Sequence, residues 1–267
     1  MTSAPTSSLV NGAMNQKEIV RILNVDFHNY TFQGLLDELE EGVIFTPNVD
    51  HLMKLQKDQS FYEIYHQADY LVCDSRIIQA VSGLVSPEKI KEQIAGSDLF
   101  PAYCYHHRNN TSAVKVFLLG GTETSVVQAQ NNINEKAGSK VVIGGYSPPF
   151  GFQNDEVENQ KIIDMINASG ATALAVGVGA PKQEKWIMNN KHLLPGVKVF
   201  FAIGATIDFR AGNVKRSPKW ITKIGMEWFY RMMQEPGRMA KRYLIDDLPF
   251  FYLLLKQRLG TYQNPWG

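Results

Sequence analysis

The amino-acid sequence predicts an α/β fold with a mostly parallel, Rossmann-like sheet, helices on both faces of that sheet and a helical appendage at the C-terminal end. Two patterns predict this architecture. Short apolar segments alternate with helical periodicity between Glu18 and Asp208, which is typical of repeated strand–helix units in a parallel sheet. From Lys215 onward, only helical periodicity remains. Hydrophobic residues make up 44% of the 267 residues, which is enough to bury a full core.

These patterns divide the chain into three predicted parts. We expect a disordered leader over residues 1–16, an α/β domain over residues 17–212 and a basic, amphipathic helical appendage over residues 213–267. The leader is rich in Ser, Thr, Ala and Asn, and it lacks the basic segment and the long apolar core of a signal peptide. We therefore interpret it as disordered chain and not as a targeting segment.

Each predicted strand is a short apolar run, as expected where both faces of a sheet are covered. The predicted strands are Val20–Val25, Val43–Thr46, Tyr70–Cys73, Val114–Leu119, Val141–Ile143, Thr172–Val176 and Lys198–Ile203. The helices predicted between them are Phe32–Glu41, Val49–Gln67, Arg76–Leu84, Thr124–Ala137, Asn154–Ala168 and Pro181–His192. In the appendage, one helical stretch ends at Pro236, and a second, Met239 to Leu259, is interrupted or kinked near Pro249.

Polar residues and glycines follow five of the predicted strands, at the point where each strand ends. They are Thr46-Pro47-Asn48, Asp74, Gly120-Gly121-Thr122, Gly177 to Gln183 and Gly204 to Asp208. Parallel strands bring their carboxyl ends to the same edge of a sheet, and open α/β sheets bind ligands at that edge. The sequence therefore predicts one ligand site to which all five segments contribute.

The segment from Gly177 to Trp186, G-V-G-A-P-K-Q-E-K-W, is the most informative stretch of the chain. Its two glycines permit a tight turn, and Pro181 occupies the predicted first helical position, where a missing N–H does no harm. A glycine-rich turn that leads into a helix offers unpaired amides to a phosphate or another anion. The alternative is an ordinary strand-to-helix connection. Lys182 stands where a dinucleotide-binding fingerprint would have its third glycine, so that motif is absent.

Three other segments at this edge have both a functional and a structural interpretation. Asp74 ends an apolar strand and is either a general base or the cap of the helix that follows Ser75. Gly120-Gly121-Thr122 is either a second phosphate-binding turn or a tight connection. Asp208, which is followed by Arg210, belongs either to the ligand site or to a turn or local ion pair.

No motif predicts a metal site or a cofactor. The sequence contains no H-E-x-x-H, C-x-x-C or G-x-S-x-G motif. His106 and His107 are adjacent, so their side chains point in different directions, and we expect them in a surface loop. The two cysteines, Cys73 and Cys104, are too few for a disulfide framework and are typical of a reducing compartment.

The near-zero net charge of +1 hides an asymmetry along the chain. Residues 1–212 contain 17 Lys and Arg against 22 Asp and Glu, whereas residues 213–267 contain 10 against 4. Basic and aromatic residues alternate in the appendage, which predicts contact with an anionic membrane surface. The alternative is a helical pair packed on the sheet with its charges in solvent. The acidic body disfavours nucleic acid as a partner, and the longest apolar run near the end, Phe250 to Leu255, is too short to span a membrane.

Eight motifs follow one another along the chain, and together they carry a resemblance to a known family. They are T-P-N-V-D at Thr46, A-D-Y-L-V-C-D at Ala68, I-A-G-S-D-L at Ile94, F-L-L-G-G at Phe117, G-G-Y at Gly144, V-G-V-G-A-P-K-Q-E-K-W at Val176, I-G-A-T-I-D-F-R-A-G-N-V-K-R-S-P-K-W at Ile203 and E-W-F-Y-R-M-M-Q-E-P-G-R-M-A-K-R-Y at Glu227. In this order they resemble the motifs of the WecG/TagA/CpsF glycosyltransferases, glycosyltransferase family 26. The resemblance covers about Ile19 to Leu259.

The resemblance implies an inverting, metal-independent transfer of a sugar from a UDP-sugar donor to a polyprenyl-diphosphate-linked sugar acceptor. It implies bacterial exopolysaccharide or cell-envelope polysaccharide synthesis at the cytoplasmic face of the cell membrane, with the protein bound peripherally and residues 17–212 as its catalytic domain. Asp74 matches the family's proposed base. From the turns and the resemblance together, the expected substrate-binding residues are Thr46, Asn48, Gly120, Gly121, Thr122, Gly177, Gly179, Lys182, Gln183, Glu184 and Asp208, with Arg216, Arg231, Arg238, Arg242 and Tyr243 in the appendage. No cofactor is implied, and a homo-oligomer is a further expected assembly.

Two positions depart from the family pattern. Ser75 follows the aspartate where the family usually has glycine, and Gln93 stands where it usually has arginine. The donor is therefore open among UDP-glucose, UDP-N-acetylmannosamine and the uronic acid of the latter. The alternative function is a non-catalytic UDP-sugar-binding regulatory module. A Rossmann-type oxidoreductase is disfavoured because the dinucleotide fingerprint is missing.

Overall fold

The computed structural model describes residues 18–212 and 245–267, together with the single positions Tyr230, Met233 and Gly237. The predicted leader and much of the predicted appendage lie outside the described residues. So do five of the expected substrate-binding residues, which are Arg216, Arg231, Arg238, Arg242 and Tyr243. The described residues form a small antiparallel hairpin and a six-stranded parallel sheet with helices around it.

The strands belong to two sheets. Strands β1 (Ile19–Ile22) and β2 (Val25–His28) pair antiparallel. The larger sheet contains β3 (Gly42–Phe45), β4 (Tyr70–Leu71), β5 (Val116–Gly120), β6 (Val142–Tyr146), β7 (Ala173–Gly177) and β8 (Val199–Ala202). Its strand order is β4-β3-β8-β7-β5-β6, and every neighbouring pair is parallel. The predicted parallel α/β fold is confirmed.

The described helices alternate with these strands. They are α1 (Phe32–Glu38), α2 (Val49–Leu55), α3 (Gln59–Tyr65), α4 (Arg76–Val81), α5 (Gly96–His106), α6 (Glu123–Ala137), α7 (Glu156–Ser169), α8 (Lys182–Asn190), α9 (Thr206–Ala211) and α10 (Pro249–Arg258). Single 3₁₀ turns cover Ser82–Leu84, Phe152–Asn154 and Lys191–Leu193. Within the ranges that the structure describes, no helix is long and apolar enough to cross a bilayer.

Helices cover both faces of the sheet, as predicted. Buried residues on one face include Leu52 of α2, Phe61 of α3, Ile162 of α7 and Trp186 of α8. Buried residues on the opposite face include Leu35 of α1, Phe100 of α5, Val126 of α6 and Ile207 of α9. Because α6 follows β5 and α8 follows β7, the chain leaves these two neighbouring strands toward opposite faces. This is the place where an open α/β sheet forms a ligand-binding crevice.

Glycines let the strand ends at this crevice pack directly against one another. A Cβ atom on Gly120, which has φ +126°, would lie 2.4 Å from the carbonyl oxygen of Gly177. A Cβ atom on Gly177 would lie 2.7 Å from the carbonyl oxygen of Gly204. The ends of β5, β7 and β8 therefore meet through backbone atoms, with no room for a side chain between them.

The apolar run predicted as one strand, Val20–Val25, is a hairpin. The chain reverses at Leu23, which has φ +54°, so that β1 and β2 pair with each other outside the main sheet. Val20, Ile22 and Val25 are all buried, because both strands of the hairpin direct apolar residues into the same core. A run of buried apolar residues does not reveal a reversal within it.

The predicted helix Val49–Gln67 consists of two helices, α2 and α3. The carboxylate of Asp58 accepts the backbone N–H of Phe61 at 2.9 Å and caps the second helix. Aspartate is among the preferred residues at this position, because its oxygen satisfies an N–H that has no partner inside the helix. The boundary between α2 and α3 is therefore marked in the sequence by a capping aspartate, and not by a glycine or a proline.

Helix α5 was not predicted, and it ends at His106, where we expected a surface loop. Pro101 lies inside it, and patterns that treat proline as a helix breaker exclude such a segment. Pro101 has no N–H to donate to the carbonyl of Ser97, four residues earlier. The guanidinium of Arg210 donates to that carbonyl at 2.8 Å. A contact from α9, which was also not predicted, therefore compensates for the donor that the proline lacks.

Helix α10 and the residues after it are packed on the α/β body. Phe250 and Leu254 are buried in the core that also contains the hairpin and α2. The Gln257 side chain accepts the N–H of Leu23 at 2.7 Å, and the indole of Trp266 donates to the carbonyl of Leu55 at 2.7 Å. Pro249 begins α10, where we had expected an interruption or kink. The described end of the chain is therefore part of the body, although it lies in the predicted appendage.

We predict that Gly120→Ala destabilises the fold by more than about 3 kcal/mol, because the new methyl group would overlap the Gly177 carbonyl in a backbone region that L-residues avoid. The matched control is Gly138→Ala. Gly138 also has a positive φ, but within the described ranges no atom lies within 4 Å of an ideal Cβ there, so the stability lost in this variant should be only about 1–2 kcal/mol. Urea unfolding of both variants measures the difference, and equal losses would contradict the steric explanation.

Candidate functional site

The structure brings the five predicted segments to one edge of the sheet. Thr46, Asp74, Gly121, Val178 and Ile203 each lie directly beyond a strand or its parallel extension. Since all six strands of the main sheet run parallel, these positions share its carboxyl edge. The expected location of the candidate site therefore agrees with the fold.

Asp74 lies half-buried beyond β4 and does not cap the following helix. Ser75 caps α4 by accepting the N–H of Ile78 at 3.2 Å. The backbone N–H of Asp74 donates to the carbonyl of Pro47 at 2.9 Å, which holds the position against the end of β3. The side-chain amide of Gln93 donates to Asp74 Oδ1 at 3.4 Å. The carboxylate is thus positioned by neighbours but is not used as a helix cap.

Thr46 and Asn48 stand beside Asp74 at the end of β3. Asn48 caps α2, since its side-chain oxygen accepts the N–H of His51 at 3.1 Å. Thr46 is buried, and its hydroxyl oxygen would lie 3.1 Å from a Cβ on Gly96, the first residue of α5. Gly96 therefore lets α5 begin close to the threonine hydroxyl. Both polar residues expected here are at the edge, and one of them also has a structural role.

The turn after β5 is connected to α9 through a chain of hydroxyl groups. Thr122 caps α6 by accepting the N–H of Ser125 at 3.1 Å. The Ser125 hydroxyl donates to Asp208 Oδ1 at 2.7 Å. Asp208 lies within α9 and is hydrogen-bonded to the start of α6, so the alternative interpretation, a turn or a local ion pair with Arg210, is wrong. Arg210 instead approaches Asp98, at 4.0 Å.

The turns after β7 and β8 are joined by one side chain. Gln183 Oε1 accepts the N–H of Gly179 at 3.2 Å and the N–H of Gly204 at 3.0 Å. Both glycines have positive φ, and no atom of the described residues lies within 4 Å of an ideal Cβ on either of them. A ligand can therefore approach the backbone at these two positions. Pro181 occupies the cap position of α8, one residue earlier than expected.

Glu184 lies beneath this pair of turns and is fully buried. Its Oε1 accepts the side-chain N–H of Gln183 at 2.8 Å. Its Oε2 has no hydrogen-bond partner among the described residues. Burial raises the pKa of the Glu184 carboxyl from 4.5 to about 7, and the hydrogen bond from Gln183 opposes part of that shift. Glu184 therefore supports the turns from below and does not line their open side.

Lys182 and Phe150 form a contact that was not predicted from the sequence. The ammonium of Lys182, at the start of α8, lies 4.5 Å from the centre of the Phe150 ring, within the range of a cation–π interaction. Phe150 is 97% exposed. It follows β6 in the segment S-P-P-F and so belongs to the same sheet edge. This position directly after a strand is the sequence signal that could have identified Phe150 as a residue of the candidate site.

The described residues contain no group of three or more His, Cys, Asp or Glu side chains that could hold a metal ion. Cys73 and Cys104 are both free and buried. Burial raises the pKa of the Cys73 thiol to about 12, so it is not a thiolate nucleophile at neutral pH. The chemistry available at the edge is that of Asp74, the glycine amides, Lys182 and polar side chains.

Comparison with known proteins gives two findings. Residues 20–264 match the family model described as "Glycosyl transferase WecG/TagA/CpsF family". The chain is also similar to the N-acetylglucosaminyldiphosphoundecaprenol N-acetyl-beta-D-mannosaminyltransferase of Bacillus subtilis (strain 168), with 28% identity over 228 residues. That match covers 82% of this chain and 85% of the relative. The range matched by the family model, residues 20–264, includes the sheet edge described above.

We predict that the stability of the protein depends on pH through Glu184. Between pH 4.5 and about 7, the folded state keeps a proton that the unfolded state releases, so rising pH destabilises the fold by up to about 1.4 kcal/mol per pH unit. Above pH 7, both states are ionised and the dependence ends. Urea unfolding of the wild type and of Glu184→Gln at pH 5 and pH 8 tests this. The variant should gain roughly 2–3 kcal/mol relative to the wild type between these values, whereas a constant difference would contradict titration of this carboxyl.

Proposed function

Because the chain belongs to the WecG/TagA/CpsF family of glycosyltransferases, we propose that it transfers a sugar from a UDP-sugar to a polyprenyl-diphosphate-linked sugar in bacterial cell-envelope polysaccharide or exopolysaccharide synthesis. The observation that carries the proposal is the juxtaposition, at one sheet edge, of a carboxylate and two open glycine turns. The carboxylate supplies a base, and the turns supply hydrogen-bond donors for a diphosphate. The named relative supports an acceptor of the same class.

The donor diphosphate is best accommodated at the turns after β7 and β8. Gly179 and Gly204 are open on the side away from Gln183, and the N-terminus of α8 adds a positive dipole end. Lys182 provides a cation beside them. When the bond between the sugar and UDP breaks, negative charge develops on the diphosphate, and preorganised donors of this kind stabilise it. We propose that no metal is required for this step.

Asp74 is suited to the role of base on the acceptor side. Strand β3 lies between β4 and β8, so the carboxylate is about two strand spacings, roughly 10 Å, from the turn after β8. A sugar ring bound between them would present one face to the acceptor and the other to the diphosphate. The acceptor hydroxyl would transfer its proton to Asp74 and attack the anomeric carbon opposite the leaving UDP, which inverts its configuration.

Residues beyond the described ranges belong to the same proposal. Arg216, Arg231, Arg238, Arg242 and Tyr243 stay candidates for contact with one of the two diphosphates. The donor stays open among UDP-glucose, UDP-N-acetylmannosamine and its uronic acid, because Ser75 and Gln93 depart from the family pattern beside Asp74. A homo-oligomer also stays a prediction.

The function is tested by incubating the full chain with each candidate UDP-sugar and a synthetic polyprenyl-diphosphate N-acetylglucosamine, in excess EDTA. We expect UDP release together with a β-linked disaccharide lipid from one donor. Activity that EDTA abolishes and Mg²⁺ or Mn²⁺ restores would contradict the metal-independent mechanism. UDP-sugar binding without turnover for any donor would favour the alternative, a regulatory module that only binds UDP-sugars.

We predict that Asp74→Asn lowers kcat by about 10²–10⁴-fold and changes the Kd for UDP by less than about threefold, since the amide cannot take the proton but fills the same space. The matched control is Ser75→Ala, which removes the cap of α4 and should cost about 1 kcal/mol of stability while turnover persists. Steady-state kinetics and UDP calorimetry on both variants measure this. Near wild-type turnover in Asp74→Asn would remove Asp74 from the mechanism.

We further propose that the protein binds peripherally at the cytoplasmic face of the cell membrane, partly through α10. One side of this helix is buried by Phe250 and Leu254, whereas the other exposes an apolar stripe. The stripe consists of Leu248, Phe251, Tyr252, Leu255 and Leu259. Lys256, which lies 5.1 Å from the centre of the Tyr252 ring, borders it, and Arg258 follows in the last turn of the helix. Apolar residues beside cations fit the interface of an anionic bilayer.

We predict that Phe251→Ser together with Leu255→Ser weakens sedimentation with anionic liposomes by at least about tenfold, because two large side chains lose their burial in lipid. Turnover with a soluble acceptor analogue should persist. Val157→Ser on α7, which is also highly exposed, serves as the control and should bind liposomes like the wild type. Unchanged sedimentation of the double variant would exclude the stripe as a membrane contact.

A further inference from the structure

A single side-chain oxygen joins the two open turns. Gln183 accepts the N–H of Gly179 and the N–H of Gly204 with the same oxygen. Both bonds require that the amide presents its oxygen to the glycines, because its NH₂ group can only donate. If the amide turned over, two N–H groups would face a third donor. The turns after β7 and β8 would then lose the atom that joins them.

A glutamine amide can turn over with little change of shape, since its oxygen and nitrogen exchange places. Glu184 distinguishes the two orientations. Its Oε1 lies 2.8 Å from Gln183 Nε2 and accepts a hydrogen bond from it. In the reversed orientation, the oxygen of Gln183 would face the oxygen of Glu184. The carboxyl therefore disfavours the reversed amide at one end, while the two glycine N–H groups disfavour it at the other.

We propose that Glu184 is a positioning residue, which fixes the amide of Gln183 and thereby holds the Gly179 and Gly204 turns at the spacing required to bind one anionic ligand between them. Glu184 does not touch that ligand, because it is fully buried. The two glycines that it controls are open, whereas Gly120 and Gly177 pack against neighbouring backbone. The identity of the ligand as the donor diphosphate rests on the proposed function. The hydrogen-bonded arrangement does not.

Burial of a carboxyl at this position has no packing explanation. The second oxygen of Glu184 has no hydrogen-bond partner among the described residues, and burying such a group costs free energy. A methionine would fill a similar volume without that cost. An acceptor that presents no donor to Gln183 favours one amide orientation most strongly, and the ionised carboxylate of Glu184 has this property, so the test below is made at pH 8. A role in orienting Gln183 therefore accounts for the residue type as well as for its position.

The test uses substitutions that change the hydrogen-bonding groups of Glu184 and Gln183 while keeping a similar side-chain volume. Glu184→Met removes the acceptor, and Glu184→Gln keeps an acceptor oxygen. Gln183→Glu alone brings two buried carboxyls to hydrogen-bonding distance. Combining Gln183→Glu with Glu184→Gln exchanges the two groups, so that the carboxylate accepts from both glycines and from the new amide. Ile187→Val, which shortens a fully buried side chain on the same helix, controls for general loss of stability.

Two measurements are made on each variant of the full chain: amide hydrogen exchange at Gly179 and Gly204 without ligand, and the Kd for UDP by calorimetry. In Glu184→Met we expect about tenfold faster exchange at both glycines and about tenfold weaker UDP binding, the effect of losing a hydrogen bond at a buried site. In Gln183→Glu, the increase in the exchange rates and the loss of UDP affinity should be at least as large. The exchanged pair should return within about threefold of the wild type, whereas Glu184→Gln, whose own amide also offers a donor and can turn over, should lie between the wild type and Glu184→Met. Ile187→Val should not change these two glycines selectively.

Unaltered exchange at both glycines in Glu184→Met would overturn the proposal, because the amide would then be fixed without the carboxyl. An exchanged pair as defective as Gln183→Glu would also overturn it. If the exchange pattern follows the expectation but the wild type binds no UDP, the positioning role of Glu184 is supported and the assignment of the ligand as the UDP-sugar donor fails. The two proposals can thus fail independently.

Discussion

The direct packing of backbone against backbone at the ends of β5, β7 and β8 is the constraint on which the candidate site depends. Gly120 approaches the carbonyl of Gly177, and Gly177 approaches the carbonyl of Gly204, at distances that leave no space for a Cβ atom. Three turns therefore emerge close together from neighbouring strands. Since α6 and α8 then diverge to opposite faces, a crevice opens above the contact. The glycines at the bottom of this crevice add no side chains to it.

The parallel sheet, its helical layers and the edge that carries the site could be predicted from the sequence, because apolar periodicity and strand-end residues are local signals. The roles of individual residues at that edge could not. Gly120 and Gly177 serve packing, whereas Gly179 and Gly204 leave space, yet all four look alike in a glycine-rich motif. Helix α5 could not be predicted either, because the contact that allows it is not local in the sequence. Its proline is tolerated through a donor from Arg210, and such a contact between distant segments has no sequence signature.

Different contacts position the two sides of the crevice, the glycine turns and Asp74. In each case the contacts are compatible with the chemistry proposed for that side. On the glycine side, one buried amide joins both turns, so that the donors are in place before charge develops on a leaving group. On the acid side, the backbone N–H of Asp74 donates to Pro47, and its carboxylate accepts a hydrogen bond from Gln93. Because Ser75 caps the helix, the carboxylate can exchange a proton without breaking a cap.

The position of α10 relates the proposed membrane contact to this crevice. The residues after α10 bond to Leu55 and Gln56, at the C-terminal end of α2, whereas Asn48 at the other end of α2 lies at the sheet edge. A helix of this length spans about 10 Å. The residues after α10 therefore lie about one helix length from the sheet edge, at the end of α2 that points away from it. If the stripe of α10 meets the bilayer as proposed, an acceptor sugar carried on a membrane-embedded polyprenyl diphosphate would have to extend over at least such a distance to reach Asp74.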